Sequence, residues 1–307
     1  MDYDAGVKKT NGDAQMSKLA CVERGYFSDP FVHLFVKPSD AMRARSFPPI
    51  INRGYFARHI IIKSLILDYL ERNSKGSAKV QVVVLGCGFD TLYFQLRQQG
   101  VLQDRVSKYI ECDFEDVVAA KRKILEDNQL MDMEDLYCLV GADVRRGEDF
   151  MRILKDTCGI REDAPTLFLA ECVLVYMELS FSNALLRQVS HSFPESLCIV
   201  YEQVNPNDAF GKQMMINLSA RGCPLKGIVS SLEEQKQRMK CCGWQHVMCE
   251  DMLSLFNRGI PREEIQRINR IEMLDEEEEW KLLLQHYCIT CAQNTSDSHS
   301  FVDFSLK

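Results

Sequence analysis

Two features of this 307-residue sequence predict an α/β fold built on a mostly parallel sheet. One is the run Val80–Leu85, β-branched and apolar, which breaks into Gly86-Cys87-Gly88 and then a helical pattern from Thr91. Such a run bounded by glycine reads as a buried strand, and the glycines permit a tight turn and close approach to a ligand. The other is the pattern beyond residue 80: apolar strand-length runs alternate with helical stretches, the signature of βαβ units.

Taken in order, residues 1–14 are polar and expected to be mobile, with order beginning near Met16. A helical extension (15–78) precedes the sheet. Its clearest helical pattern runs through Ile62, Leu65, Ile66, Tyr69 and Leu70, after a loop-like aromatic stretch that holds Arg58. The sheet core (79–203) has strands at 80–85, 108–112, 136–142, 166–170 and 197–201. Residues 204–243 interrupt it with two helical stretches, expected to form a lid. Strands at 244–249 and 285–292 complete a seven-stranded sheet within the C-terminal part (244–293), and 294–307 reads as a mobile tail. No linker divides the chain, so one domain spanning 15–293 is expected.

The net charge of -7 argues against a broad basic face for nucleic acid. No apolar stretch approaches membrane-spanning length and Met1-Asp2-Tyr3-Asp4 does not resemble a signal peptide, so a cytoplasmic protein is expected. The 13 cysteines are scattered through core strands, as reduced thiols would be. Cys288 and Cys291 have the spacing of a metal pair. They lie in a strand, however, where residues three apart face opposite sides. No metal site is expected.

The glycine turn lacks the third glycine of a dinucleotide site, because Thr91 stands there, and no P-loop lysine comes after it. What remains is a turn suited to a nucleoside without phosphates, of which S-adenosylmethionine is the commonest cofactor. A purely structural turn fits the glycine pair equally well. The added observation is that Asp113, Asp143, Glu171 and Glu202 each end a strand. In open α/β sheets ligands lie beyond the carboxyl ends of the strands, so these acids are expected on one rim with Gly86. Asp113 suits a ribose diol, Asp143 with the Val144 backbone an adenine amino group, and Glu171 the ammonium group of a methionine moiety. Any one of them can instead be a helix cap.

Four segments, Ile51-Asn52-Arg53-Gly54-Tyr55-Phe56-Ala57-Arg58, Gly141-Ala142-Asp143, Ala170–Met177 and Tyr201–Asn205, together resemble the leucine carboxyl methyltransferase family over about residues 18–292. The resemblance implies a Rossmann-like class I methyltransferase fold and an S-adenosylmethionine pocket formed by Lys18, Arg58, Gly86, Asp113, Asp143, Val144 and Glu171. It also implies methylation of the C-terminal leucine carboxylate of the type 2A protein phosphatase catalytic subunit, by an enzyme expected to be monomeric. Arg58 is the expected clamp for the substrate carboxylate. Tyr176 either donates a hydrogen bond there or is an aromatic wall. Relatives acting on transfer RNA carry a long further repeat domain, for which this chain is expected to be too short. A non-catalytic S-adenosylmethionine- or phosphatase-binding sensor and a small-molecule carboxylate methyltransferase are the alternatives.

Overall fold

The computed structural model describes residues 3–73, 78–131, 136–295, 302 and 304. Helices α1 (Tyr3–Glu23), α2 (Pro38–Ala44) and α3 (Pro49–Asn73) precede β1 (Val80–Leu85) and α4 (Leu92–Gln98). The alternation continues through β2 (Val106–Asp113), α5 (Glu115–Asp127), β3 (Tyr137–Gly141), α6 (Gly147–Arg152), β4 (Thr166–Glu171), α7 (Leu179–Ser192) and β5 (Ser196–Gln203). After α8 (Ala209–Ala220) and α9 (Leu232–Cys241) come β6 (His246–Asp251), α10 (Met252–Gly259), α11 (Arg262–Ile271), α12 (Glu277–Gln285) and β7 (Tyr287–Asn294).

The strand order is β3-β2-β1-β4-β5-β7-β6, with β7 antiparallel to both its neighbours and the other pairings parallel. The order reverses direction at β1, so the crevice at its carboxyl end is where ligands of such sheets bind. Side chains alternate across each strand. Val82, Val84, Leu167 and Leu169 pack with α3, α4 and α10 on one face, while Val83, Leu85, Phe168 and Ala170 pack with α6, α7 and α9 on the other. Cys288 and Cys291 fall in different clusters, as strand periodicity requires, and all 13 cysteines are free thiols.

Several expectations are corrected. Residues 3–14, expected to be mobile, belong to helix α1. This half of the helix is held by polar contacts with distant residues: Lys8 pairs with Asp116 at 2.8 Å, Asp4 with Arg145 at 2.8 Å, and the Tyr3 hydroxyl donates to the carbonyls of Tyr176 and Pro224. Arg58 lies in the middle of continuous α3, not in a loop. Of the two helices between β5 and β6, only α8 reaches the ligand crevice; α9 covers β6, with Met239 buried in the sheet's second core. Asn294, expected in the mobile tail, ends β7. Most of the rest of that tail lies outside the described residues, but Val302 and Phe304 are buried in the first core.

Among the described residues, no helix is long and apolar enough to cross a membrane.

Candidate functional site

The turn after β1 has Gly86 at φ +59° and Gly88 at φ +49°. A β-carbon on Gly86 would lie 2.7 Å from a methyl of Val173, and one on Gly88 would lie 2.5 Å from Oδ1 of Asn11. Gly86 therefore requires glycine on two counts, conformation and space; Gly88 requires it for conformation, since the Asn11 side-chain tip can move aside. The turn is held from the next strand, because Asp113 Oδ2 accepts the Gly88 N–H at 2.7 Å.

This turn sits between two connected hollows. The smaller, about 80 Å³, is lined by Gly86, Asp113, Phe114, Asp143, Val144 and Arg145, and by α1 from Tyr3 to Asn11. The larger, about 360 Å³, is lined by Lys18, Arg58, Gly86, Asp90, Glu171, Tyr201, Arg221 and Tyr287, among others. Thr10, Asn11, Gly86, Cys172 and Tyr176 line both. The expected site residues are thus brought together around one crevice: Asp113, Asp143 and Val144 at one end, Lys18, Arg58 and Glu171 at the other, Gly86 and Tyr176 at the junction.

At the first end, Asp113 is 8% exposed, and its Oδ1 accepts the Phe114 N–H at 2.7 Å. Burial raises its pKa, opposed by the two backbone N–H groups. Each carboxylate oxygen keeps a lone pair for a further donor, as a vicinal diol requires. Asp143 lies two residues past β3 and is gripped by Arg145, whose Nη2 reaches Oδ2 at 2.7 Å. Burial opposes ionisation of Asp143, but the hydrogen bonds and charge of Arg145 outweigh it and lower the pKa. Arg145 also holds Asp4 through both terminal nitrogens and lies over the Phe114 ring, as does Lys8. None of Asp4, Phe114 or Arg145 is expected at the site from sequence. The Asp143-Val144-Arg145 spacing carries a local signal for Arg145, but nothing local links it to Asp4.

At the other end, Arg58 Nε donates to Glu171 Oε2 at 2.7 Å, and the guanidinium is flanked by the rings of Tyr201 at 4.9 Å and Tyr55 at 5.2 Å. Among the described residues its Nη groups make no hydrogen bond, so its fork is available to a ligand. Lys18 is 3% exposed and sits beneath the turn, bonded to Thr91 Oγ1 at 2.6 Å, Asp90 Oδ1 at 3.0 Å and Asp29 Oδ2 at 3.1 Å. Burial opposes its charge, but the two carboxylates more than compensate and raise its pKa. Deeper still, Lys121 and Glu111 form a fully buried pair at 2.5 Å, and Lys121 also donates to the Asp90 carbonyl at 2.7 Å. This pair braces the glycine turn and carries no local signal, since single acids and lysines ordinarily read as surface positions.

Glu202 is not on the rim. It is 3% exposed, and its Oε1 accepts the Val175 N–H at 2.7 Å, so it braces the loop after β4.

The crevice fits a nucleoside with an amino-acid arm. Two glycines leave room against the backbone, a free pair of carboxylate lone pairs faces one end, and a carboxylate beside an open guanidinium fork faces the other. This site, at the reversal point of a seven-stranded sheet with one antiparallel strand, defines a class I methyltransferase that uses S-adenosylmethionine. A solved structure with this fold, a candidate methyltransferase from Thermobifida fusca, matches with a TM-score of 0.57 at 14% identity, over 85% of this chain and 90% of that one.

Residues 6–190 match the family model for leucine carboxyl methyltransferase, and the chain belongs to that family. It is 37% identical to the leucine carboxyl methyltransferase 1 homolog of Arabidopsis thaliana, over 94% of this chain and 90% of that protein. It is also 34% identical to human tRNA wybutosine-synthesizing protein 4, over 96% of this chain but only 45% of that longer protein. The chain is an S-adenosylmethionine-dependent carboxyl methyltransferase. Among the described residues no group of three or more metal-binding side chains is placed to hold an ion.

Proposed function

We propose that this enzyme methylates the α-carboxylate of the C-terminal leucine of the type 2A protein phosphatase catalytic subunit, acting in the cytoplasm as a monomer. The observation that supports this reading best is the larger hollow. Its lining includes Arg58, Glu171 and Arg221 together with the apolar side chains of Ile51, Leu218, Leu283 and Leu284, which supports a site for an anionic chain end with a leucine side chain.

In this reading Asp113 accepts the ribose hydroxyls, Asp143 and the Val144 backbone face the adenine edge, and Glu171 holds the ammonium group. Arg58, with Lys18 behind it, faces the carboxylate of the methionine arm. The cofactor supplies a methyl group on sulfonium. The nucleophile needs no base, because a carboxylate is already an anion at pH 7. His59, in the lining, is stacked on Phe27 at 4.0 Å and pushed down to about 3, chiefly by burial, which leaves it a poor base at neutral pH. The protein's work is placement: a carboxylate oxygen held about 3 Å from the methyl, in line, can lower the barrier by roughly 7–11 kcal/mol. Tyr176, 8% exposed at the junction of the two hollows, walls the line of transfer.

The test is transfer of tritiated methyl to the purified phosphatase catalytic subunit, with a subunit lacking its last leucine as control. Base-labile label on the complete subunit alone is expected. Absence of label, or label that survives mild base, overturns the reading. A sensor without catalytic activity would bind S-adenosylmethionine but transfer nothing.

A further inference from the structure

Three lysine and arginine side chains line the larger hollow: Lys18, Arg58 and Arg221. Lys18 is held by Asp90 and Asp29, and Arg58 by Glu171. Arg221 is different. It lies just past α8, and among the described residues its guanidinium makes neither an ion pair nor a hydrogen bond, Asp13 of the same lining included.

Its backbone, by contrast, is firmly placed. Its N–H reaches the carbonyls of Asn217 and Leu218 at 3.3 and 3.1 Å, and Gly222 comes next at φ +81°. Helix α1 presses on that turn: a β-carbon at Gly6 would lie 1.9 Å from the Gly222 carbonyl oxygen, and the Tyr3 hydroxyl bonds the Pro224 carbonyl at 3.1 Å. The Tyr287 phenol is pushed up to about 12, chiefly by burial, and the charges of Arg58 and Arg221 both pull it back, so the two cations act on the same ring. Leu218, one helical turn before Arg221, lines the same wall.

One planar fork binds one carboxylate edge. The reaction brings two carboxylates into this hollow, that of the methionine arm and that of the substrate, and Arg58 beside Glu171 suits the first. We propose that Arg221 receives the substrate's terminal carboxylate, with Leu218 and the apolar wall of Ile51, Leu283 and Leu284 taking the side chain of that last residue. This rests on the reading of the hollow as a site for a chain-terminal leucine. It moves the substrate clamp from Arg58, where the sequence pointed, to a residue on the wall built by α8.

The experiment compares wild type, Arg221→Ala and Arg221→Lys, each loaded with S-adenosylhomocysteine. The probes are two fluorescent peptides of identical sequence, one ending in a leucine carboxylate and the other in a leucine amide. A hydrogen-bonded charge pair at a partly open site corresponds to about tenfold in affinity. Wild type is expected to prefer the carboxylate by about that factor. Arg221→Ala is expected to bind both peptides alike and Arg221→Lys to recover part of the preference, with affinity for S-adenosylhomocysteine unchanged in all three. KM for the phosphatase subunit is expected to rise about tenfold in Arg221→Ala. Full retention of the carboxylate preference in Arg221→Ala overturns the proposal, as does a matching loss of S-adenosylhomocysteine affinity. Failure of wild type to methylate the phosphatase would instead sink the choice of protein substrate, while the peptide pair still tests Arg221.

Discussion

Replacing Asp113 by alanine tests the proposal that this carboxylate accepts the ribose hydroxyls. Both carboxylate oxygens already accept one backbone N–H, from Phe114 and Gly88, each at 2.7 Å. One lone pair on each oxygen is left for a hydroxyl, so a bound diol adds two charge-assisted hydrogen bonds. At the lower end of the usual range these contribute roughly 3 kcal/mol together, about a hundredfold in affinity. The assay is calorimetric titration with S-adenosylhomocysteine and with its 2′-deoxy analogue. Wild type is expected to bind the deoxy ligand about tenfold more weakly, and Asp113→Ala to bind both weakly and nearly alike. Asp113→Asn, which keeps one acceptor oxygen, should fall between. A collapsed glycine turn would weaken both ligands by one factor and leave their ratio at the wild-type value. That outcome, or unchanged affinity, would refute the direct ribose contact.

Arg58→Ala is expected to abolish methyl transfer while circular dichroism stays unchanged, and near-normal turnover would remove Arg58 from the site. Gly86→Ala should lose about 1–2 kcal/mol of stability from its positive φ and roughly 1–3 kcal/mol from contact with Val173. Adding Val173→Ala should recover the second part only, so strictly additive losses in denaturant melts would show that the contact does not matter. Burial pushes the Glu202 carboxyl up from an ordinary value of 4.5 to about 7, with Arg238 and backbone N–H groups opposing the shift. Between those values the folded state binds more protons than the unfolded state. Its stabilising contribution is therefore full below pH 4.5 and is lost as pH rises through 7. Wild type relative to Glu202→Gln should lose up to about 3 kcal/mol between about pH 5 and pH 8; identical pH dependence in the two proteins would exclude this role.

The sheet is legible in the sequence because its strands are short apolar runs punctuated by glycine or acid, and the predicted span of β1 coincides with Val80–Leu85. Helix α1 is not, because the apolar contacts of its first half are a single pair, Tyr3 and Val7, half-buried against Val175, Tyr176 and Leu225. It is tied down by Asp4–Arg145 and Lys8–Asp116, whose partners are more than a hundred residues away, and no window of sequence contains both ends. Arg58 stands out in the sequence but reads as part of a loop, since aromatic residues and Gly54 obscure the helical period that α3 in fact sustains from Pro49. The buried Lys121–Glu111 pair is invisible for a related reason: each residue alone looks like surface, and only the parallel strands beside them show otherwise.

The acids at the strand ends show where a count by chain position stops being informative. Asp113 and Glu171 are the last residues of β2 and β4, and both line the crevice. Glu171 is level with Tyr201 on the neighbouring strand, and Tyr201 lines the crevice too. Glu202 is one residue further along β5. Along that strand Leu197, Ile199 and Tyr201 belong to one core, and Cys198 and Val200 to the other. Period-two alternation therefore turns Glu202 away from the ligand and toward the loop after β4. The parity that separates Cys288 from Cys291, and dissolves them as a metal pair, also separates Glu202 from Tyr201. Four acids at strand ends thus reduce to two at the last strand position and a third, Asp143, that reaches the site from the turn beyond β3, where strand parity no longer applies and Arg145 sets its orientation.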